Sequence, residues 1–356
     1  REWLALYESK SGERGIFNRQ SAIKQASKNG RRDVEQEFGC NPCSEIILRP
    51  YQFCNLTEVV VRESDTEETL IQKVKLATIL GTYQSTLTDF KYLRKIWKDN
   101  TEEERLLGVS LTGIMDNALL SGKSARIGNN IEGLLTKLRE TAVETNRKVS
   151  AKLGIPQSTA VTTVKPSGTV SQLVDSASGI HARHNPHYIR TVRGDNKDPL
   201  TQFMVAQGIP SEPDVMKPQS TTVFSFPMQA PSTAVFRQDM TAIEQLDIWL
   251  KYQTYWCEHK PSVTISVKEH EWLEVGAWVY EHFDEVSGIS FLPFSEHTYK
   301  QAPYQDCTEV EYKDMLSKMP KGIDWRALSE FEKEDTTSGS RELACTAGVC
   351  EVVDIS

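Results

Sequence analysis

The sequence lacks a long apolar run. No stretch approaches the roughly 18 to 20 consecutive apolar residues that a membrane-spanning helix needs, and the opening residues, Arg1 to Leu4, do not follow the pattern of a signal peptide. These absences predict a protein with no membrane partner, located in the cytoplasm, or in the host cytoplasm if its source is a virus.

The sequence also lacks a basic excess. Its 356 residues carry 41 Lys and Arg against 49 Asp and Glu, which gives a formal net charge of −8. A protein that binds nucleic acid by neutralising phosphates normally carries a basic surface, and the basic runs at 28–32 and 91–98 are short and interrupted. The charge therefore predicts no nucleic-acid partner.

The chain has neither an initiator methionine nor a capping residue before its first helix pattern. The apolar residues Trp3, Leu4, Leu6 and Tyr7 follow Arg1 almost directly, whereas a helix usually begins after Ser, Thr, Asp or Asn. This start predicts that the first helix begins in the middle of a domain and that the chain is a piece of a larger protein.

Cysteine is present in an odd number, and the seven residues are unevenly spread. Three of them lie at positions 40, 43 and 54, two at 345 and 350, and two stand alone at 257 and 307. An odd count without a secretory context argues against a framework of structural disulfides. The two clusters are therefore candidates for chemistry.

Alternating strand and helix patterns predict an α/β fold. β-Branched and apolar runs indicate strands at 45–48, 55–61, 159–164, 221–226, 262–267 and 288–292. Apolar residues spaced about 3.6 apart indicate helices at 66–82, 101–120, 132–153, 242–255 and 272–283. From residue 332 the sequence is polar, which predicts a mobile tail.

The first candidate site is the segment Gly39 to Glu45 (GCNPCSE), which is followed by Cys54. Asn41, Cys43 and Glu45 stand at i, i+2 and i+4, so in an extended segment their side chains share one face. A carboxylate beside a thiol disfavours the thiolate, which argues against a nucleophilic cysteine. The set suits a cysteine that gives or takes a hydrogen atom, with Glu45 as general base and Asn41 as hydrogen-bond partner.

Three other interpretations of this segment stay open. The pair Cys40 and Cys43 resembles a thioredoxin-type redox motif, although a strand rather than a helix follows it. A zinc site needs a second close ligand pair, and four residues separate Cys345 from Cys350, so we predict no metal site. The cysteines could also be inert packing residues near a strand.

The second candidate is the segment 164–171 (VKPSGTVS). Gly168 permits close approach of the backbone, and Ser167 and Thr169 place hydroxyls beside free N–H groups at a helix start, where an anion is favoured. The segment lacks the pattern of a P-loop, so it does not imply an ATPase. The alternative is an ordinary N-capped helix after a strand.

The third candidate is the pair Cys345 and Cys350 in the polar tail. Small residues, including Gly348, separate the two thiols, which favours an easily closed disulfide that is accessible to thiol exchange. We interpret the pair as redox-active rather than as a metal clip or two unpaired thiols.

Three histidines, His181, His184 and His187, lie close together in the sequence. They have no thiol or carboxylate at metal-ligand spacing, and Pro186 would break a helix. We interpret them as structural or substrate-facing histidines of a loop.

Together these segments resemble the catalytic half of a ribonucleotide reductase, and most closely the single-chain, adenosylcobalamin-dependent (class II) ribonucleoside-triphosphate reductases. The resemblance covers nearly the whole chain. It rests on residues 38–56 (FGCNPCSEIILRPYQFCNL), 162–171 (TTVKPSGTVS), 178–181 (SGIH), 11–18 (SGERGIFN) and the Cys-x4-Cys tail.

The resemblance implies a ten-stranded α/β barrel made of two five-stranded halves. Residues 1–331 would form the second half, with a central finger loop at about 38–56 that carries the radical cysteine and a phosphate loop at 165–171. Residues 332–356 would form the mobile redox tail.

The resemblance also implies roles for single residues. Cys43 would be the thiyl radical that removes the 3′ hydrogen of a ribonucleoside triphosphate, Glu45 the base for the 3′ hydroxyl, and Asn41 its hydrogen-bonding companion. Cys54 would be one of the two thiols that reduce C2′. The substrate phosphates would be held by Pro166, Ser167, Gly168, Thr169 and Val170.

By the same resemblance, Cys345 and Cys350 would re-reduce the active site and would themselves be reduced by thioredoxin. Adenosylcobalamin is the expected cofactor, because the chain contains no Tyr-Tyr pair of the kind that a class I subunit uses near its end. A glycyl-radical (class III) enzyme would need a C-terminal radical glycine, for which Gly348 between the two thiols is a poor candidate, and it would lack such a dithiol.

Two departures from the family pattern bear on activity. Cys40 is not required by the finger-loop motif and is expected to be incidental. The partner thiol of Cys54 and most of the deoxynucleotide effector site belong to the first barrel half in this family, and we find no candidate for them here. We therefore expect a fragment that needs an N-terminal half, from the same gene or a separate chain. The alternatives are a non-catalytic partner fragment of a split reductase and a class I-type large subunit.

Overall fold

The computed structural model of the protein describes residues 2–9, 15–122, 130–294 and 300–333, and the backbone alone of residues 345–346 and 349–350. The chain divides into two compact units. Unit 1 comprises residues 1–183 and 231–294, and unit 2 comprises residues 184–230 and 295–356. The boundary expected at residue 331, between a barrel half and a tail, stays a prediction.

Helices and strands alternate through the described residues, so the α/β class is confirmed. The helices are α1 (Glu2–Ser9), α2 (Arg19–Ser27), α3 (Glu67–Gln84), α4 (Lys95–Glu104), α5 (Ile131–Leu153), α6 (Val170–Leu173), α7 (Pro199–Ala206), α8 (Ala242–Lys251), α9 (Trp272–Glu281) and α10 (Glu309–Lys318). The strands are β1 (Gly15–Ile16), β2 (Gly39–Cys40), β3 (Ile47–Leu48), β4 (Asn55–Val60), β5 (Leu107–Thr112), β6 (His187–Asp195), β7 (Ser211–Pro213), β8 (Thr221–Gln229), β9 (Thr264–Val267), β10 (Ile289–Pro293), β11 (Tyr304–Asp306), β12 (Cys345–Thr346) and β13 (Val349–Cys350). None of the helices described is long and apolar enough to span a bilayer.

Unit 1 is built on a row of five parallel segments. β4 pairs in parallel with β5 along its whole length, and β9 pairs in parallel with β10. Parallel bridges at Val109–Thr162 and Val164–Pro261 join β5 to the segment 159–164 and that segment to the chain entering β9. Five is the number of strands that the resemblance implies for one barrel half. The ten-stranded barrel and its central finger stay predictions.

The helix predicted at 101–120 is wrong. α4 ends at Glu104, and Arg105 takes a left-handed conformation with φ of 48°. β5 then follows, and every one of its residues is buried. The sequence of β5 (LGVSLT) alternates Leu107, Val109 and Leu111 with Gly, Ser and Thr. This is the period of a strand, and the helix predicted at 101–120 passed over that signal.

The core of unit 1 lies between the parallel row and its helices. α3 begins at a capping box on Thr66, and α5 ends where Gly154 adopts φ of 66°. These bounds agree with the helices predicted at 66–82 and 132–153. Burying an aliphatic side chain fully contributes about 1.5–3 kcal/mol. Fully buried members of this core include Leu70, Val74, Leu107, Val109, Leu135 and Leu138.

A short hairpin precedes β4 and carries the first candidate site. β2 and β3 pair antiparallel, with Gly39 opposite Leu48 and Cys40 opposite Ile47. The connecting residues 41–46 form its tip. Cys54 lies one residue before β4 begins, so the hairpin and β4 bring the two cysteine positions of the predicted finger loop into one region.

Unit 2 contains an antiparallel sheet with the strand order β11-β6-β8-β7. β6 and β8 pair along their full length, from His187 opposite Gln229 to Asp195 opposite Thr221. The histidine loop therefore ends at His187, where β6 starts. In the tail, β12 and β13 pair with Cys345 opposite Cys350, but the side chains of these two cysteines lie outside the described part of the chain.

Candidate active site

The tip of the hairpin is a tight turn and not the extended segment that the spacing predicts. Ser44 has φ of 63°, its N–H donates to the Asn41 carbonyl oxygen at 2.8 Å, and the Asn41 side-chain oxygen accepts from Ile46 N–H at 3.0 Å. Asparagine favours such turns because its side chain binds nearby main-chain N–H groups. As a result Cys43 is exposed while Glu45 is buried.

Glu45 is the least satisfied polar side chain of the hairpin. It is 1% exposed, and neither carboxylate oxygen has a hydrogen-bond partner among the described residues. Its main-chain oxygen, by contrast, accepts from Lys260 N–H at 3.1 Å and from the Thr163 hydroxyl at 2.9 Å. A buried carboxylate without a partner is costly and calls for a specific explanation. A bound substrate that supplies the missing hydrogen bonds is such an explanation.

The charge of Glu45 acts on two thiols. Partial removal of the Cys43 thiol from water is the main cause that raises its pKa, and Glu45 raises this pKa further against a lowering by Lys165. Burial and then Glu45 raise the pKa of Cys54 far above its ordinary value, against a lowering by Arg32. Both thiols therefore keep their protons at neutral pH, which is the state that hydrogen-atom chemistry needs.

Cys54 packs against β5 where Gly108 leaves space. A Cβ at Gly108 would lie 3.3 Å from Cys54 Sγ, 3.0 Å from Ile46 Cδ1 and 2.4 Å from Leu56 Cδ2. Alternate residues of a strand face the same side, so Cys54, Leu56 and Glu58 share the side of β4 that meets the hairpin.

The predicted phosphate loop has an open, strained backbone. Ser167 adopts φ of 56°, and its buried hydroxyl lowers the pKa of the nearby Glu58 carboxyl. No atom lies within 4 Å of the position that a Cβ at Gly168 would occupy, and Thr169 makes no side-chain cap before Val170 opens α6. Among the described residues no hydrogen bond engages the N–H of Gly168 or Thr169. Exposed, unpaired N–H groups in a turn suit an anionic group.

His181 joins the segment that follows this loop to β9. Its Nδ1 bonds to the Ser178 carbonyl oxygen at 3.0 Å, and its Nε2 accepts from Thr264 N–H at 3.0 Å. Burial lowers the pKa of the imidazole, so it stays neutral, as these two bonds require. Next to it, Gly179 has φ of 55°, and a Cβ there would lie 2.4 Å from the Lys165 carbonyl oxygen.

Two charged residues that the sequence analysis did not select connect the hairpin to the phosphate loop. Lys165 interacts electrostatically with Cys43 and with Glu58. Burial raises the pKa of Glu58, while Ser167 and then Lys165 lower it. The sequence held a signal for Glu58, because it stands four residues after Cys54 on a predicted strand and therefore on the same face.

A run of three buried titratable residues supports the base of the hairpin: Glu258, His259 and Lys260. His259 Nδ1 accepts from Ile47 N–H at 3.3 Å, and its Nε2 donates to the Leu107 carbonyl oxygen at 2.9 Å. Burial lowers the pKa of His259 to about 3, which keeps the ring neutral. The imidazole therefore ties β3 to β5. The sequence held a signal for this contact, because three titratable residues in a row stand directly before Pro261 and a predicted strand.

A buried ion pair holds the other side of the hairpin. Arg32 donates two hydrogen bonds of 2.9 Å to the Glu104 carboxylate and one of 2.9 Å to the Ile47 carbonyl oxygen. The Gln52 amide also binds Glu104, and its oxygen accepts from Arg49 N–H at 2.9 Å. A buried ion pair is tolerated when its remaining hydrogen-bonding capacity is filled, and here β3 fills part of it.

A comparison with solved structures defines the class of the fold. No protein-family profile matches the chain. A crystal structure of a B12-dependent (class II) ribonucleotide reductase matches 93% of this chain and 50% of its own, with a TM-score of 0.76 at 24% identity. The fold is therefore that of the corresponding part of a class II ribonucleotide reductase.

Curated relatives give the closer assignment. An adenosylcobalamin-dependent ribonucleoside-triphosphate reductase of Euglena gracilis is 27% identical in an alignment of 329 positions that covers 90% of this chain and 43% of the relative. One of Lacticaseibacillus paracasei is 26% identical in an alignment of 382 positions that covers 98% of this chain and 50% of the relative. The resemblance seen in the motifs is thus confirmed, and this chain is related to the adenosylcobalamin-dependent ribonucleoside-triphosphate reductases. It spans about half the length of the curated relatives it matches.

Proposed function

We propose that this chain carries out the radical chemistry of a ribonucleotide reductase that acts on ribonucleoside triphosphates. The observation that carries the proposal is the buried, unpartnered carboxylate of Glu45 beside two thiols, Cys43 and Cys54, whose pKa values are raised. A nucleophilic cysteine would need a lowered pKa. The arrangement therefore favours hydrogen-atom transfer with a carboxylate base.

In the proposed reaction the Cys43 sulfur, after losing its hydrogen atom, takes the hydrogen from C3′ of the ribose. Glu45 accepts the proton of the 3′ hydroxyl, which its free carboxylate oxygens can do directly. The 2′ hydroxyl leaves as water. Cys54 and a second thiol join as a disulfide and give up two hydrogens, of which one leaves with the 2′ hydroxyl in the water and one is added to C2′. Glu45 returns its proton to the 3′ oxygen, and Cys43 returns its hydrogen to C3′.

Adenosylcobalamin would supply the organic radical that takes the hydrogen atom from Cys43. The position of the thiol suits a reaction with a radical that comes from outside the hairpin, because Cys43 is exposed at the tip while Glu45 below it is buried. Cys43 is the residue that would meet the cofactor, and its raised pKa keeps the S–H bond intact until then.

The phosphate loop would hold the triphosphate. The N–H groups of Gly168 and Thr169 have no hydrogen-bond partner within the described structure. Pro166 and Val170 bound this turn. Lys165, which interacts with Cys43, adds a cation between the loop and the hairpin.

The tail would return the active site to its reduced state. Cys345 and Cys350 stand opposite each other in the β12–β13 pair, so a disulfide exchange with Cys54 and its partner could pass two electrons to the active site. Thioredoxin is the proposed reductant of the tail pair.

The second thiol of the proposed reaction is expected in an N-terminal half, which would also bind deoxynucleotide effectors. We therefore propose that the chain acts with such a half, in one polypeptide or as a separate partner. The alternative, a non-catalytic fragment of a split reductase or a class I-type large subunit, predicts no adenosylcobalamin-dependent turnover after that half is supplied.

The test compares Cys43→Ala with Cys345→Ala in the chain combined with its N-terminal half. Cys43→Ala should abolish triphosphate reduction with either dithiothreitol or thioredoxin, because the radical position is lost. Cys345→Ala should retain dithiothreitol-driven turnover and lose thioredoxin-driven turnover.

Cys307→Ala is the matched control, since this half-buried thiol belongs to unit 2 and has no role in the proposal. It should behave as the unchanged chain with both reductants. Equal behaviour of the Cys43 and Cys345 variants would refute the assigned roles, and turnover by the 356 residues alone would refute the need for a second half.

A further inference from the structure

Lys260 is a fully buried lysine at the base of the catalytic hairpin. Its Nζ donates to the Ser287 carbonyl oxygen at 3.0 Å and lies 3.5 Å from the Ser44 hydroxyl oxygen. The ammonium also sits 4.6 Å from the centre of the Phe17 ring. A carbonyl, a hydroxyl and an aromatic face thus surround the charge.

Lys260 holds two consecutive residues of the hairpin tip. Its side chain reaches Ser44, and its main-chain N–H donates to the Glu45 carbonyl oxygen at 3.1 Å. Ser44 is the left-handed residue of the turn and lies between Cys43 and Glu45. Its position therefore sets the directions of the radical thiol and of the carboxylate.

Gly288 shows how closely Lys260 and Ser44 pack against the backbone before β10. A Cβ at Gly288 would lie 2.3 Å from the Ser44 hydroxyl oxygen and 2.8 Å from Lys260 Nζ. The lysine, the serine and the backbone before β10 therefore leave no room for a side chain at this position.

The buried ammonium lowers the stability of the fold. Burial is the main influence on Lys260 and lowers its pKa to about 8, while the Cys40 thiol and the Glu45 carboxylate act in the opposite direction. A lowered lysine pKa means that the charged form is less favourable in the folded than in the unfolded chain. An apolar side chain of similar size would avoid this cost.

We propose that Lys260 is a positioning residue of the catalytic hairpin, which fixes Ser44 and so sets the Cys43 thiol and the Glu45 carboxylate relative to each other. The consequence for turnover rests on the proposed function. The consequence for the hairpin does not, because it follows from the contacts of Lys260 with Ser44 and Glu45.

The test is Lys260→Met in the 356-residue chain, which keeps an unbranched apolar stem and removes the ammonium. Hydrogen exchange of the peptide 39–48 should become about tenfold faster as the turn loosens. The unfolding temperature should stay the same or rise, because a buried charge is gone. Lys268→Met is the matched control, since Lys268 also lies over a phenylalanine ring, that of Phe294 at 5.5 Å, and it should leave the hairpin exchange unchanged.

Ser44→Ala should accelerate exchange in the same peptide, and the double variant should add little to either single change, because both remove one interaction. With the N-terminal half present, Lys260→Met should lower kcat while KM for the triphosphate stays within twofold. A lowered unfolding temperature with unchanged exchange in 39–48, or fully additive effects of the two changes, would overturn the proposal. Absence of turnover in the unchanged chain combined with its N-terminal half would refute the proposed function and leave the exchange result to decide the role of Lys260.

Discussion

At the scale of single residues, the charge of Glu45 raises the pKa of both Cys43 and Cys54. Replacing it with the isosteric, neutral glutamine should lower both pKa values. At pH 7.5, iodoacetamide should then alkylate Cys43 about three- to tenfold faster, because the thiolate is the reactive form and one pKa unit changes its population about tenfold. Mass spectrometry of the peptide 39–48 measures the rate in the chain alone.

Glu58→Gln is the control for this change, because Glu58 also bears a partly buried carboxylate but does not act on either thiol. It should leave both alkylation rates as they are. An unchanged rate at Cys43 in Glu45→Gln would mean that the carboxylate lies too far away to serve the same substrate carbon.

The same replacement should reduce turnover by about 10²- to 10⁴-fold in the chain combined with its N-terminal half, the range typical of a lost general base. The unfolding midpoint in urea should not fall, because the amide replaces a carboxylate that has no partner to lose within the described residues. Turnover near that of the unchanged chain would remove Glu45 from the role of base.

The residue types of the site could be predicted from the sequence, but the directions in which their side chains point could not. A carboxylate two residues from a cysteine was enough to predict a protonated thiol. The i, i+2 and i+4 spacing, however, assumed an extended segment, and Ser44 at φ of 63° turns Cys43 outward and Glu45 inward. No pattern in the sequence marks a serine as left-handed, since that conformation is imposed by partners such as Asn41 that are fixed only when the hairpin folds.

At the scale of the elements, the contact of β4 with β5 determines where Cys54 sits. Gly108→Ala would introduce a Cβ 2.4 Å from Leu56 and 3.3 Å from Cys54 Sγ in a strand that is buried throughout. We expect a loss of about 1–3 kcal/mol in the free energy of unfolding, as for other overpacked cores. Urea denaturation followed by tryptophan fluorescence measures it.

Gly39→Ala is the matched control, because no atom lies within 4 Å of a Cβ at that position and Gly39 also stands in a strand of unit 1. Its free energy of unfolding should change by less than about 0.5 kcal/mol, as for an ordinary surface substitution. A loss in Gly108→Ala no greater than in Gly39→Ala would show that β4 and β5 do not pack as closely as described.

Elements were predictable where caps or breaks marked them. α3 and α5 begin directly after the capping residues Thr66 and Asn130, and α5 ends at Gly154. β5 was misassigned although Leu107, Val109 and Leu111 recur at the strand period, because the apolar residues of the whole stretch 101–120 were assigned to one helix. What identifies it as a strand is its hydrogen bonding to β4 and to residues 160–163, which lie far away in the sequence.

At the scale of the whole molecule, two histidines with lowered pKa values make the stability of unit 1 depend on pH. His259 and His181 are held neutral in the fold, with pKa values lowered mainly by burial, whereas in the unfolded chain a histidine titrates near 6.5. Below that pH the unfolded state binds more protons than the folded state, so stability falls as the pH drops. The contribution is complete above about pH 6.5 and is lost progressively toward the folded pKa of His259, about 3.

His259→Gln isolates this effect, because an amide can accept from Ile47 N–H and donate to the Leu107 carbonyl oxygen as the imidazole does but does not titrate. Between pH 6.5 and pH 5 the unchanged chain should lose about 2 kcal/mol more than the variant, since each pH unit across the gap is worth about 1.4 kcal/mol. Carboxyl groups whose pKa is lowered, such as Asp65, titrate below this window.

Urea midpoints at the two pH values measure the difference. The exposed His270 provides the control, because His270→Gln should keep the full pH dependence of stability. If the stability of His259→Gln changed with pH as steeply as that of the unchanged chain, the result would contradict a neutral, buried imidazole between β3 and β5.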